Sequence, residues 1–211
     1  MALLDVPATK SSLLALRRQL VFAEEGYALL DQKRELLLLE LAARRARATA
    51  ARAEAEAFLA PARAALREAT LASGGEELDR AALGAPRGGG PELKEKRLMG
   101  VRLPECSVPA PAGAAAFGPG EVTAAGEEAR RGFLRALGPL AALAGLETSE
   151  ARLARELKKT QRRCNALSKK MIPDTRETIT FLGGALEERE REAFVILRMI
   201  RDRLRVEEAA G

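Results

Sequence analysis

The sequence predicts an α-dominated protein: two long helices paired as an antiparallel coiled coil, with a small irregular or β-hairpin segment between them. Three observations carry that expectation. Ala, Leu, Arg and Glu dominate a 211-residue chain that is 31% charged, only 3% aromatic and without Trp, the bias of long coiled-coil helices. Apolar residues recur by threes and fours over most of the first third. The segment between Ser73 and Ala125 then holds more than half of the 18 glycines and 10 prolines, so no long helix continues through it.

The first arm, residues 1–72, starts its periodic run near Ser11 or Ser12, either of which suits a helix cap. Leu13, Leu16, Leu20, Ala23 and their successors step in heptads to Ala48, Ala51, Ala55 and Phe58, a seam specific for a coiled coil. Such a helix would run on the order of 90 Å. The small alanines would let a partner helix come close. Arg34 and Arg44 stand in the seam, where the partner changes, the seam opens, or the two arginines snorkel beside an intact seam.

In the middle, residues 73–125, the stretch RLMGVRLPECSVP (Arg97–Pro109) alternates β-type residues around Gly100 and Pro104 and reads as a hairpin. PAPAGAAAFGPG, Pro109–Gly120, reads as a flexible connection. The second arm, residues 126–211, resumes the helical pattern. Pro139 either begins a fresh helix or kinks one, and Pro173 should bend the helix locally by removing a backbone hydrogen bond. Each arm exposes one apolar stripe, so the two should fold back on one another, with the middle at one end and the termini at the other.

One stretch of the second arm is strongly basic. KKTQRRCNALSKK puts Leu157, Thr160, Cys164, Leu167 and Met171 on one helix side, and Lys158, Lys159, Arg162, Arg163, Lys169 and Lys170 on the other. Six like charges repel one another unless water, salt or an acidic partner screens them, so the face is either simply solvated or a contact surface. Asn165 lies between the two faces, placed either to set register or to face solvent. The Glu187–Glu192 run (Glu187, Glu188, Arg189, Arg191) reads first as an intrahelical ladder, with Glu187 and Arg191 spaced to pair.

Catalytic chemistry finds no footing. The chain has no histidine, which removes the usual general base and commonest metal ligand. Gly88–Gly90 is not followed by a phosphate-cradle lysine, and Cys106 and Cys164 lack a neighbouring cysteine for a zinc site. No cofactor, metal or catalytic residue is expected. The N-terminus lacks a secretory pattern, and the apolar run Leu36–Leu39 is far too short to span a bilayer, so a soluble cytoplasmic chain is expected. The net charge of +5 permits nucleic acid without indicating it. Periodicity leaves a mechanical shaft, a prefoldin-like chaperone and a nucleic-acid-binding arm open.

Two blocks choose among them. PATKSSLLALRRQLVFAEEGYALLDQKRELL (Pro7–Leu37) and KKTQRRCNALSKKMIPDTRETITFLGGALEERERE (Lys158–Glu192) resemble the two signature regions of the D subunit of the V-type and archaeal-type (V/A-type) rotary ATPases. Departures are Ser168, where the family often has an acid, the Gly183–Gly184 pair, and the more apolar AFVILRMI (Ala193–Ile200). The resemblance implies a non-catalytic central-stalk rotor component that transmits torque between a ring of A and B subunits, where ATP is made or hydrolysed, and a membrane ion ring. The F subunit and the d-type (C) adaptor are the other implied partners, on the cytoplasmic face of the membrane. In that setting the six cations, with Asn165 and the Glu187–Arg191 charges, are the expected partner contacts.

Overall fold

The computed structural model describes residues 5–84, 90–109 and 123–210. It is dominated by helix, in the order α1 (Lys10–Ser73), α2 (Gly75–Gly84), β1 (Glu92–Leu98), β2 (Val101–Ser107), α3 (Ala124–Ala166), a π-helical turn (Leu167–Met171) and α4 (Ile172–Ala210). The expected fold class is the observed one. The chain divides into two compact units, one made of Met1–Arg34 with Lys159–Gly211 and the other of Glu35–Lys158.

α1 starts slightly earlier than its sequence suggests. Thr9, rather than Ser11 or Ser12, is the cap: its Oγ1 accepts the Ser12 N–H at 3.1 Å, and its carbonyl accepts the Leu13 N–H at 3.0 Å. A threonine hydroxyl reaching the third helical N–H satisfies one of the otherwise orphaned donors. The helix stops at Gly74, whose φ of 84° lies in the left-handed region and whose N–H bonds back to the Thr70 carbonyl. α2 follows at once with Glu76 and Glu77 in its first turn, where acids favour the positive end of the helix dipole. It is a short helix that the Gly/Pro content had hidden.

In the unit Glu35–Lys158, α1 and α3 run antiparallel. Arg45 pairs with Glu150 at 2.9 Å and Arg52 with Glu147 at 2.6 Å, and further along Ser73 Oγ lies 3.4 Å from Thr123 Oγ1. The seam here is made of small side chains, with Ala48, Ala55, Ala62 and Ala69 of α1 buried along with Ala129 and Ala136 of α3. Backbones therefore approach closely. A Cβ added at Gly132 would sit 2.8 Å from the Ala62 Cβ and 3.1 Å from its Cα. Gly132→Val is expected to cost about 1–3 kcal/mol through overpacking, read as a lower urea midpoint at constant m-value. Pro139 neither starts nor ends a helix and lies inside α3.

The hairpin packs on the same unit. β1 and β2 are antiparallel with Leu98 opposite Val101, and the two loop residues Met99 and Gly100 both have positive φ, 49° and 84°, the turn that matches strand twist. It spans Glu92–Ser107, so its first strand begins before the expected Arg97. Leu103 of β2 is buried with Leu37 of α1 and Leu153 of α3, flanked by Leu41, Leu98, Val101 and Leu157. Pro104 has no N–H to lose from the ladder, and its carbonyl is taken by the buried Ser149 Oγ at 3.2 Å. Gly145 lets α3 come this near, since a Cβ there would meet the Cys106 nitrogen at 3.0 Å. Cys106, inside the expected hairpin, lies in β2. Residues 110–120 of the expected flexible connection lie outside the described residues.

In the other unit α1 again pairs antiparallel, with Lys10 bonded to Glu190 and Glu24 to Arg176. Leu16 and Ala23 of α1 are buried, as are Thr160, Cys164, Thr175, Thr178 and Leu182 of the second arm. α4 runs through Gly183 and Gly184 without interruption. Arg34 and Arg44, one in each unit, pair along their own helix, Arg34 with Asp31 at 2.7 Å and Arg44 with Glu40 at 2.8 Å.

Candidate partner interface

The π turn is the local event that shapes this surface. Pro173 has no N–H, and its ring would press on the carbonyl four residues back in a straight α-helix. The chain answers by widening the preceding turn, where the Ile172 N–H bonds to the Leu167 carbonyl, a reach of five residues. The bend expected at Pro173 thus takes the form of an extra residue per turn. Beyond it, Thr175 Oγ1 donates to the Met171 carbonyl and Thr178 Oγ1 to the Asp174 carbonyl, each at 2.7 Å.

Around this turn the basic residues face solvent. Lys158 closes one unit, and Lys159, Arg162, Arg163, Lys169 and Lys170 lie in the other. All six are exposed, and no salt bridge joins any of them to another described residue. Elsewhere the chain pairs its cations freely, as at Arg45, Arg52, Arg130 and Arg176. Asn165 is exposed and accepts a hydrogen bond from Gln161 Nε2 at 3.1 Å along its own helix.

The acidic-basic run of α4 is less self-contained than its spacing suggests. Arg191 pairs with Glu188 at 3.0 Å rather than with Glu187. Glu190 reaches Lys10, and Arg189 Nη1 donates to the Ala8 carbonyl at 2.8 Å. The run therefore fastens the start of α1 to α4. Exposed pairs of this kind contribute about 0–1 kcal/mol each.

Apolar surface lies beyond that fastening. Phe194, Val195, Ile196 and Leu197 are each more than half exposed. At about 100° per residue they point in four successive directions around the helix, so no single groove buries them all. α1 adds Phe22, 77% exposed, an aromatic residue off the heptad seam; that displacement was the only signal the sequence offered for it.

Glu127, in the first turn of α3, accepts hydrogen bonds from Arg130 at 2.7 Å and from Arg131 at 2.9 Å. The Arg130 bond holds its carboxyl down at about 2, with Arg131 assisting and desolvation opposing. A carboxyl depressed in the folded state stabilises it fully above the unfolded value near 4.5, and that contribution is lost as pH falls from there through about 2. Glu127→Gln is expected to flatten the acid limb of stability by about 1–2 kcal/mol, measured as urea midpoints between the two values.

Among the described residues no cluster of ligating side chains can hold a metal ion, and no helix is long and apolar enough to cross a membrane. What remains on the surface is contact chemistry, a basic band and an encircling apolar collar.

The family of ATP synthase D subunits matches residues 12–202. The second of the V-type ATP synthase D subunits named for Treponema pallidum is 36% identical over 198 residues, covering 92% of this chain and 93% of that protein. The V-type ATP synthase D subunit of Thermus thermophilus is 35% identical over 205 residues, covering 97% and 92%. The A-type ATP synthase D subunit of Pyrococcus furiosus is 33% identical over 213 residues, covering 98% of each. Match and relatives run through both units, and the chain belongs to the ATP synthase D-subunit family of the V/A-type enzymes.

Proposed function

We propose that the chain is the central-stalk shaft of its complex, a non-catalytic rotor part that carries torque between a ring of A and B subunits and an ion-translocating membrane ring. The observation that carries this reading is the contrast between a chain whose helices are paired in each unit and a basic band left without partners among the described residues. A shaft must be held without being trapped in one orientation. Exchangeable charge contacts suit that need better than interlocked apolar packing, which fixes one arrangement.

Lys158, Lys159, Arg162, Arg163, Lys169 and Lys170 then meet acidic or carbonyl-rich partner surfaces. The apolar collar at Phe194–Leu197 is a separate, fixed contact, since four apolar residues around one helical turn need a partner that encloses them. The F subunit and the d-type (C) adaptor are the further partners, and the chain sits on the cytoplasmic face of the membrane only through them. ATP chemistry belongs to the A and B neighbours.

Co-expression with A, B and F subunits from the same genome, followed by native mass spectrometry, tests this. The expected particle holds one copy of this chain in one A/B ring with one F. A self-assembled oligomer that ignores those subunits overturns the reading in favour of a chaperone.

A further inference from the structure

α1 carries a second apolar heptad that its own chain leaves uncovered. In the unit Glu35–Lys158, the seam that meets α3 and the hairpin buries Leu37, Ala48 and Ala55. On roughly the opposite side of the helix, Leu36, Leu39, Ala43, Ala46, Ala50 and Ala53 step by alternating threes and fours. All six are exposed, Leu39 at 69%. A helix with apolar stripes on two sides needs a second partner, and alanine at four of these six positions suits another helix at close approach.

The charges beside the stripe select the partner and its direction. Glu40, Arg47 and Glu54 follow one edge, and Glu35 and Glu56 stand on the other. Two parallel copies of α1 would set Glu35 of each against Glu40 of the other. Antiparallel copies can instead put Leu36 opposite Ala53, Leu39 opposite Ala50 and Ala43 opposite Ala46, with large against small at both ends and small against small at the two-fold axis. In that register Glu40 of each copy meets Arg47 of the other. Slipping by one heptad brings Glu40 against Glu40 in one direction, and Arg47 against Arg47 in the other. Arg47 has no ion pair with another described residue, and Glu40 holds Arg44 of its own helix with acceptor capacity left over. On the second edge Glu35 approaches Glu56, whose charge is compensated by Arg63 at 3.0 Å.

We infer that the free chain forms an antiparallel dimer through this outer face of α1, with the two-fold axis between Ala43 and Ala46. The inference goes beyond the rotary assignment and does not rest on it. Its test uses the isolated full-length chain, whereas the rotary reading is tested on the co-expressed complex, so either can fail alone.

Sedimentation equilibrium of the isolated chain should show a monomer–dimer equilibrium. Ala43→Glu puts a charge beside the axis at an exposed helical position, and should raise the dimer Kd at least about hundredfold while leaving Tm within about 3 °C. Arg47→Glu should raise the Kd about tenfold, and adding Glu40→Arg to it should bring the Kd back to within about threefold of the parent. Antiparallel pairing sets residue 57 of one copy against residue 32 of the other, so nitroxides on Ala57→Cys in a Cys106→Ser background should lie about 35–40 Å apart. The dimer is overturned by a chain that stays monomeric up to about 1 mM, by association that Ala43→Glu leaves intact, by a charge swap that restores nothing, or by labels face to face, as parallel copies would hold them.

Discussion

Leu153→Ala is expected to destabilise the unit Glu35–Lys158 by about 2–5 kcal/mol, the range for truncating a fully buried leucine. Leu153 has no exposed surface and sits where α3 meets both Leu37 of α1 and Leu103 of the hairpin. Beyond Leu37, Leu41 and Leu157 the unit's buried helix seam is mainly alanine, with side chains too short to reach into the void. Loss at this position therefore loosens the hairpin and the helix pair together. Urea unfolding followed by circular dichroism should show a lower midpoint for the variant, while Leu153→Met, which conserves volume, should cost less than about 1.5 kcal/mol. Equal stability of the parent and Leu153→Ala would mean that the hairpin does not share one core with the helices.

Replacing Lys158, Lys159, Arg162, Arg163, Lys169 and Lys170 together by glutamine is expected to leave the isolated chain folded and to disable the assembled complex. All six are exposed, and glutamine is a good helix former, so helix content and Tm should hold. A hydrogen bond to a charged group contributes about 1.5–3 kcal/mol where it is desolvated. Removing even two such bonds from the assembly corresponds to a hundredfold or more in affinity, by the rule of about 1.4 kcal/mol per tenfold. The readouts are co-purification with the A/B ring and ATP-driven ion pumping in reconstituted vesicles, both expected to fall at least about tenfold. Pumping that matches the parent's would sink the role proposed for the basic band.

The heptad seam made most of this fold legible in advance. Leu16, Ala23, Leu37, Ala48 and Ala55 all stand in it and are all buried, because a partner helix reads the same period that the sequence writes. The hairpin was legible around Gly100 for a similar reason, since its two-residue loop needs positive φ. What stayed hidden was set by geometry rather than by period. A π turn leaves no mark on the hydrophobic period, so Pro173 announced a disturbance without announcing its form. α2 was masked by the glycines at its ends. Of the surface, the basic band could be read directly, whereas the reach of Glu190 to Lys10 and of Arg189 to Ala8 depends on where α1 begins. Phe22 carried only its displacement from the seam as a signal.

The alanine seam has a consequence for how this protein would look under random mutagenesis. Ala55, Ala62, Ala69, Ala129, Gly132 and Ala136 bear the smallest side chains in the chain, and the alanines among them are almost wholly buried. Their importance lies in the atoms they lack, because every added carbon must find space between two backbones already in contact at Gly132 and Ala62. A saturation library should therefore return these positions as its most restrictive, accepting little beyond Gly, Ala and Ser, while the bulky exposed Phe194 and Leu197 tolerate broad exchange in the isolated chain. Between this seam and the exposed Phe194–Leu197 stretch, side-chain size and mutational constraint would run in opposite directions.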